Sequence, residues 1–197
     1  MRILIAVPMS ETISPGTYKS IYDLDKAGHD VAFEYMKGYD CARARNEIVK
    51  LMLKSDYDYV FMVDSDIRLP EDALKRLLEW PVDVCLGCYP HKNNKDKLAE
   101  LFKRGSADFV NRFTYPELDS INEPRIRVKG GGFGCALVKR QVFDQLAYPW
   151  FKYVNYDSGS VLSEDLYFCS EANKKGIEIW ADTRVRCGHR TGYYQYE

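Results

Sequence analysis

The chain has almost no net charge, no long apolar run and no internal repeat. Its 28 basic residues stand against 29 acidic ones, a balance of −1. A non-specific nucleic-acid binder needs a marked basic excess, so no nucleic-acid partner is expected. A local basic pocket for one anion stays open. No segment approaches the ~20 apolar residues of a membrane helix, so no integral membrane segment is expected. The apolar run in Met1–Pro8 is too short for a signal-peptide core and reads as a first strand. Six cysteines without a secretion signal then imply free thiols and a cytoplasmic location. There is no P-loop. The glycines of 130–134 miss the dinucleotide fingerprint, because the third glycine would fall at 135, where Cys135 stands. Cys85 and Cys88 form a CxxC pair with no second pair at zinc-site spacing.

At 197 residues the chain suits one compact domain, 1–197. Hydrophobic residues make up 46%, enough for a real core, and the 15 tyrosines suit surfaces that join apolar area to a hydroxyl. Strand and helix patterns alternate along it. Arg2–Val7 reads as a buried strand and 14–26 as a helix capped by Ser14, with Pro15 in its first turn. Residues 29–35 alternate as a strand, and Asp40 caps a helix over 41–54. Tyr59–Val63 is a strand, Pro70 opens a helix ended by Pro81, and 82–88 is a strand. Residues 91–124 are irregular apart from a short strand over 98–103. A strand pattern over 125–140 is broken by the glycine run, and a short helix follows over 141–147. Residues 148–162 form an aromatic loop, Ser163 caps a helix ended by Gly176, and 177–185 is the last strand. The tyrosine-rich tail from Thr191 reads as loose or surface-packed. Alternating β and α units predict an α/β fold with a mostly parallel central sheet, whose ligands gather at the carboxyl ends of strands.

Asp64-Ser65-Asp66 is the sharpest feature. It follows the buried-looking strand Tyr59–Val63, and residues two apart in an extended chain point the same way. Two such carboxylates repel unless a cation or a proton sits between them. A hard divalent ion meets that need and can bridge to phosphate oxygens. A plain turn is the other reading of these three residues.

Several motifs in order resemble a known family. The run Val60–Asp66 is similar to the hhhhDxD strand of glycosyltransferases with the GT-A fold, of the nucleotide-diphospho-sugar transferase superfamily. Arg45-Asn46 in the preceding helix is similar to the ARN element of short family 2-like members. Gly87–Lys92 follows the next strand, and the glycine-rich 130–138 precedes Arg140-Gln141-Val142-Phe143. Ser163-Glu164-Asp165 opens a helix like the ED element, and Cys187-Gly188-His189 ends the last strand. The resemblance spans nearly the whole chain. It implies a nucleotide-binding part over about 1–90 and an acceptor and catalytic part over about 91–190.

The resemblance implies roles. Asp66 and His189 hold Mn²⁺ or Mg²⁺ against the diphosphate, with Asp64 near the ribose or the metal. Asp165 is the base that takes the acceptor proton, with Glu164 as the alternative base or a holder of the acceptor. Arg45 and Lys92 meet phosphates or the base, and Pro8 and Glu11 lie where the nucleotide base is seated. The reaction implied is inverting transfer of a hexose-type sugar, from UDP more readily than from GDP, to a glycan, lipid-linked or protein acceptor.

Each residue also has a plain structural reading. Asp165 and Glu164 complement the helix dipole, which would lower a carboxylate's pKa and weaken it as a base. Arg45 and Lys92 read as solvated charges, and His189 as part of a basic strand with Arg184, Arg186 and Arg190. His29 and His91 read as structural or solvent-facing. Two other functions stay open. One is a sugar-phosphate nucleotidyltransferase of the same fold, disfavoured by the lack of basic residues in 8–12. The other is a non-catalytic nucleotide-sugar or zinc-binding module. Oligomeric state is open.

Overall fold

A computed structural model describes residues 1–92, 97–105, 109 and 111–190. The tail from Thr191 and parts of the irregular 91–124 stretch lie outside them. The chain opens with β1 (Arg2–Met9), α1 (Pro15–Tyr22) and β2 (Asp30–Lys37). Ser14 caps α1 by accepting from the Thr17 N–H at 3.1 Å. Then come α2 (Cys41–Leu53), β3 (Tyr59–Val63), β4 (Ile67–Arg68) and α3 (Ala73–Leu78). Asp40 caps α2 through the Arg43 N–H at 3.0 Å. The third helix starts later than its proline suggests. Pro70 and Glu71 stay in a turn, and Asp72 makes no cap bond but pairs with Arg76 at 2.5 Å.

β5 (Val84–Cys88) is followed by β6 (Leu98–Phe102), β7 (Arg112–Thr114), α4 (Tyr115–Asp119), β8 (Arg125–Val128) and β9 (Gly130–Gly131). β10 (Cys135–Lys139) and α5 (Arg140–Gln145) come next. The expected aromatic loop holds a small hairpin, β11 (Val154–Asn155) with β12 (Val161–Leu162). The chain ends with α6 (Glu164–Lys174), β13 (Ile179–Arg186) and β14 (Gly188–His189).

Seven strands form the central sheet in the order β2-β1-β3-β10-β5-β13-β8. The expectation of a mostly parallel sheet is corrected: the sheet is mixed. β2, β1 and β3 run parallel, as do β5 and β13, whereas β10 is antiparallel to β3 and β5, and β8 to β13. A strand buried on both faces shows the same apolar run whichever way it points, so direction was invisible in the pattern. β10 slots between β3 and β5 only because the chain returns from a small sheet, β7-β6-β9.

Strand alternation divides the core in two. Leu4, Ala6, Val60 and Met62 face α2, α5 and α6, while Ile3, Ile5, Val7 and Phe61 face α1 and α3. Cys85 belongs to the second core and Cys88 to the first. Three residues apart on one strand, the two thiols point to opposite faces and cannot share one zinc ion. No helix among the described residues is long and apolar enough to cross a membrane.

Candidate active site

Beyond β3 the chain turns through Asp64-Ser65-Asp66, closed by the Ile67 N–H donating to the Asp64 carbonyl at 3.1 Å. The last strand returns beside it. Ile67 pairs with His189 and Arg68 with Gly188, and the Arg190 N–H donates to the Asp66 carbonyl at 3.0 Å. His189 is thereby brought to the acidic turn from the far end of the chain, and it is 6% exposed. Its Nδ1 lies 2.6 Å from the Pro90 carbonyl, which only a protonated Nδ1 satisfies. Nε2 faces Asp66 Oδ2 at 3.5 Å and donates to it when the ring is protonated; in the neutral ring it carries the lone pair. The Lys92 ammonium sits 2.8 Å from the same oxygen.

These contacts set the charges. Burial would raise the Asp66 pKa, but hydrogen bonds from His189 and Lys92 outweigh it and hold the carboxyl down at about 2. Burial disfavours the His189 cation, while Asp66 and the Pro90 carbonyl favour it more, so its pKa is raised. Asp66 is an anion at any working pH, with one cation already on it.

Arg45 does not open onto solvent. It is 1% exposed on α2, and its guanidinium bridges Asp64, at 2.7 Å, and Glu164. The Cys41 thiol and the Tyr153 hydroxyl lie near this trio, and burial first, with the neighbouring carboxylates, raises the pKa of both. A buried Arg with two carboxylates is compensated only as a set, so this trio holds β3, α2 and α6 together. Burial pushes the Asp64 pKa up against the pull of Arg45.

Asp165, next to Glu164, is set apart. Ser163 takes the N-cap position of α6 but makes no cap bond; its hydroxyl donates to Asp165 Oδ1. The Leu166 N–H donates to the same atom at 2.8 Å. The expected lowering of this carboxyl by the helix dipole is overturned. Burial first, then the neighbouring Glu164 charge, raise its pKa to about 6. Protein surrounds most of the group while it keeps partial access to solvent.

Tyr89 lies within the Gly87–Lys92 run, where the sequence assigned it no role, and it packs between His189 and the glycine segment. Its ring meets His189 edge-on at 5.4 Å, and its hydroxyl accepts from the Gly134 N–H at 3.2 Å. The glycine run makes room for it. A Cβ at Gly132 would lie 1.8 Å from Tyr89 Oη and 3.4 Å from Asp165 Oδ2. The glycines therefore admit the protein's own side chains, since Gly130 is likewise filled by Cys169 at 2.7 Å. The readable signal for Tyr89 was an aromatic residue directly after the buried strand β5.

Two sets of contacts result, Arg45 with Asp64 and Glu164, and Asp66 with Lys92 and His189, while Asp165 bonds only to Ser163 and Leu166 among the described residues. Pro8 lies inside β1 opposite Met36, and Glu11 is exposed beyond that strand. Neither hydrogen-bonds to either set among the described residues. His91 pairs instead with Glu100. No group of three His, Cys, Asp or Glu side chains that could hold a metal converges among the described residues. The protein offers a cation the Asp66 carboxylate and the Nε2 lone pair of His189. The Lys92 ammonium already neutralises Asp66, and these two donors are of the kind that a divalent ion takes.

No family model and no curated protein match the chain. Among solved structures it is similar to A197 from STIV, with a TM-score of 0.64 and 18% identity over 96% of this chain and 86% of that one. It is also similar to GalNAc-T7, solved with UDP, GalNAc and Mn²⁺, with a TM-score of 0.62 and 12% identity over 95% of this chain. The chain spans 43% of the length of GalNAc-T7. These likenesses are of fold: the chain is a mixed α/β domain of GT-A-like architecture.

Proposed function

We propose that the chain is a metal-dependent glycosyltransferase that moves a hexose-type sugar, with inversion, from a nucleotide-diphosphate donor to an acceptor hydroxyl. One observation carries this reading. A carboxyl held near neutrality, Asp165, shares a wall through Tyr89 and Gly132 with the acidic turn where Asp66 and His189 meet. The binding of UDP and Mn²⁺ by a neighbour of this fold favours a UDP-linked donor and Mn²⁺ or Mg²⁺.

In this reading Asp66 and His189 hold the ion, which when bound supplies positive charge to the departing diphosphate. Lys92, released from Asp66, meets a phosphate oxygen. Asp64, fixed by Arg45, faces the ribose or the metal side, and Glu164 is a positioning residue. Asp165 takes the acceptor proton. Its pKa of about 6 leaves it ionised at pH 7 yet more basic than an ordinary carboxylate. No second acid is required, because the diphosphate leaves as a stable anion, unlike the alcohol of a glycosidase. Glycan, lipid-linked and protein acceptors all present the required hydroxyl.

The test is a panel of nucleotide sugars with Mn²⁺, reading nucleotide release and thermal shift on wild type and Asp66→Ala. Stabilisation by at least one nucleotide sugar, lost with chelator or with Asp66→Ala, is expected. No stabilisation by any nucleotide diphosphate overturns the glycosyltransferase reading. Stabilisation that survives both treatments overturns the metal part.

A further inference from the structure

A serine at a helix N-cap ordinarily accepts a hydrogen bond from a free N–H of the first turn, at the second or third helical residue. At the start of α6 that bond is absent. The Ser163 backbone is in its usual place: it is extended, and its carbonyl accepts the Tyr167 N–H at 2.9 Å. Only its side chain departs from the pattern. The hydroxyl donates to Asp165 Oδ1. The Leu166 N–H, which a cap oxygen would take, goes to the same Oδ1 at 2.8 Å. A hydroxyl has one proton to give, so this donation fixes its direction.

The two oxygens of the Asp165 carboxyl are thereby made unequal. Oδ1 accepts twice, and both donors favour the ionised form. Among the described residues no donor reaches Oδ2. That atom is also not one of the side-chain atoms buried without a partner, so it is the oxygen open to solvent. It faces the glycine notch, where a Cβ at Gly132 would stand 3.4 Å from it. The other ionisable groups about the carboxyl are Glu164 beside it, Arg45 from α2, Cys169 one turn along α6 and Tyr89 after β5. Burial keeps the Cys169 thiol and the Tyr89 hydroxyl neutral, so the charges acting on it are those of Glu164 and Arg45.

We propose that Ser163 is a positioning residue, holding the Asp165 carboxyl by Oδ1 so that Oδ2 meets the acceptor hydroxyl and takes its proton. In the transferase reading, on which this step rests, the acceptor O–H bond breaks and an O–H bond to Oδ2 forms. The electron pair left on the acceptor oxygen makes the bond to the anomeric carbon. The bond from that carbon to the diphosphate breaks, and its pair leaves with the diphosphate. Without the Ser163 hydroxyl the carboxyl is free to turn about its own bond, and its ionised form loses a donor.

Two measurements test this. Carboxyl-carbon NMR titration reads the Asp165 pKa directly, with Asp165→Asn identifying the resonance. Sugar transfer from a panel of nucleotide sugars with Mn²⁺, followed from pH 5 to 9, reads the rate. In Ser163→Ala the Asp165 pKa should rise by about one pH unit, because a donor to the ionised form is gone. The acid limb of kcat should move up by the same amount. On the plateau above it kcat should fall about tenfold, with the donor KM changed by less than about twofold. Ser163→Thr keeps a hydroxyl at the cap and should restore both pKa and kcat. Ser163→Gly, well tolerated at a cap, replaces the alanine variant if that one does not fold. A pKa unmoved by loss of the hydroxyl, or not restored by threonine, overturns the proposal. A pKa that moves while the acid limb and kcat stay in place overturns Asp165 as the base and the positioning role with it. Absence of transfer from every nucleotide sugar overturns the transferase reading instead, and the pKa then still decides whether Ser163 holds the carboxyl.

Discussion

Replacing Asp165 with Asn should make the protein more stable while removing its proposed chemistry. The change is nearly isosteric. The Asn oxygen can still accept from the Ser163 hydroxyl and the Leu166 N–H, which both meet Oδ1. The magnitude follows from the raised pKa, from 3.8 to about 6. Each unit is worth ~1.4 kcal/mol, so the ionised carboxylate costs the fold up to about 3 kcal/mol at neutral pH. Partial solvent access reduces this, giving about 1–3 kcal/mol. The sign is set by the folded pKa lying above the unfolded one. The folded state holds the proton more tightly, so this favourable contribution is complete below about pH 4 and lost as pH rises through about 6. Asn does not titrate. Asp165→Asn should therefore be more stable than wild type above pH 6, by roughly 3–10 °C in Tm, with the gain shrinking toward pH 4. Urea unfolding from pH 4 to 8 measures it, with sugar transfer followed in parallel. A gain independent of pH, or none at pH 7.5, would refute the burial argument. Transfer near the wild-type rate would refute Asp165 as base.

Other substitutions probe the supports of the site. Arg45→Met leaves buried Glu164 and half-buried Asp64 without their cation and should cost about 3–5 kcal/mol in urea unfolding; a loss under 1 kcal/mol would show that the trio is not needed. Gly132→Ala drives a Cβ into Tyr89 Oη and should cost about 2 kcal/mol or more. The same change in a Tyr89→Phe background should cost measurably less, because the hydroxyl is the closest obstacle. Equal costs in both backgrounds would mean that Tyr89 does not occupy the glycine notch.

Much of the local structure was legible in the residues. Ser14 and Asp40 announced their helices because a side-chain oxygen after extended backbone meets the free N–H groups of a first turn. Tyr59–Val63 announced a buried strand and placed Asp64 and Asp66 at its carboxyl end. Pro70 misled, because a proline tolerated in a first helical turn sits equally well in the turn before it. Ser163 misled in another way: the serine stands at the cap position, but its hydroxyl found a nearer carboxylate.

By itself the sequence determined the alternation of strands and helices, the two apolar faces of each central strand, and which acids stand at strand ends. Those properties depend on neighbours within a few residues, where backbone geometry dictates the period. Only the tertiary structure decided the direction of β10, because burial on both faces is blind to direction. It alone brought His189 to Asp66, through the pairing of β14 with β4. It also separated the fates of neighbouring carboxyls, tying Glu164 to Arg45 and leaving Asp165 near neutrality. A pKa is set by the charges and solvent that surround a group in space, and those come from segments far apart along the chain.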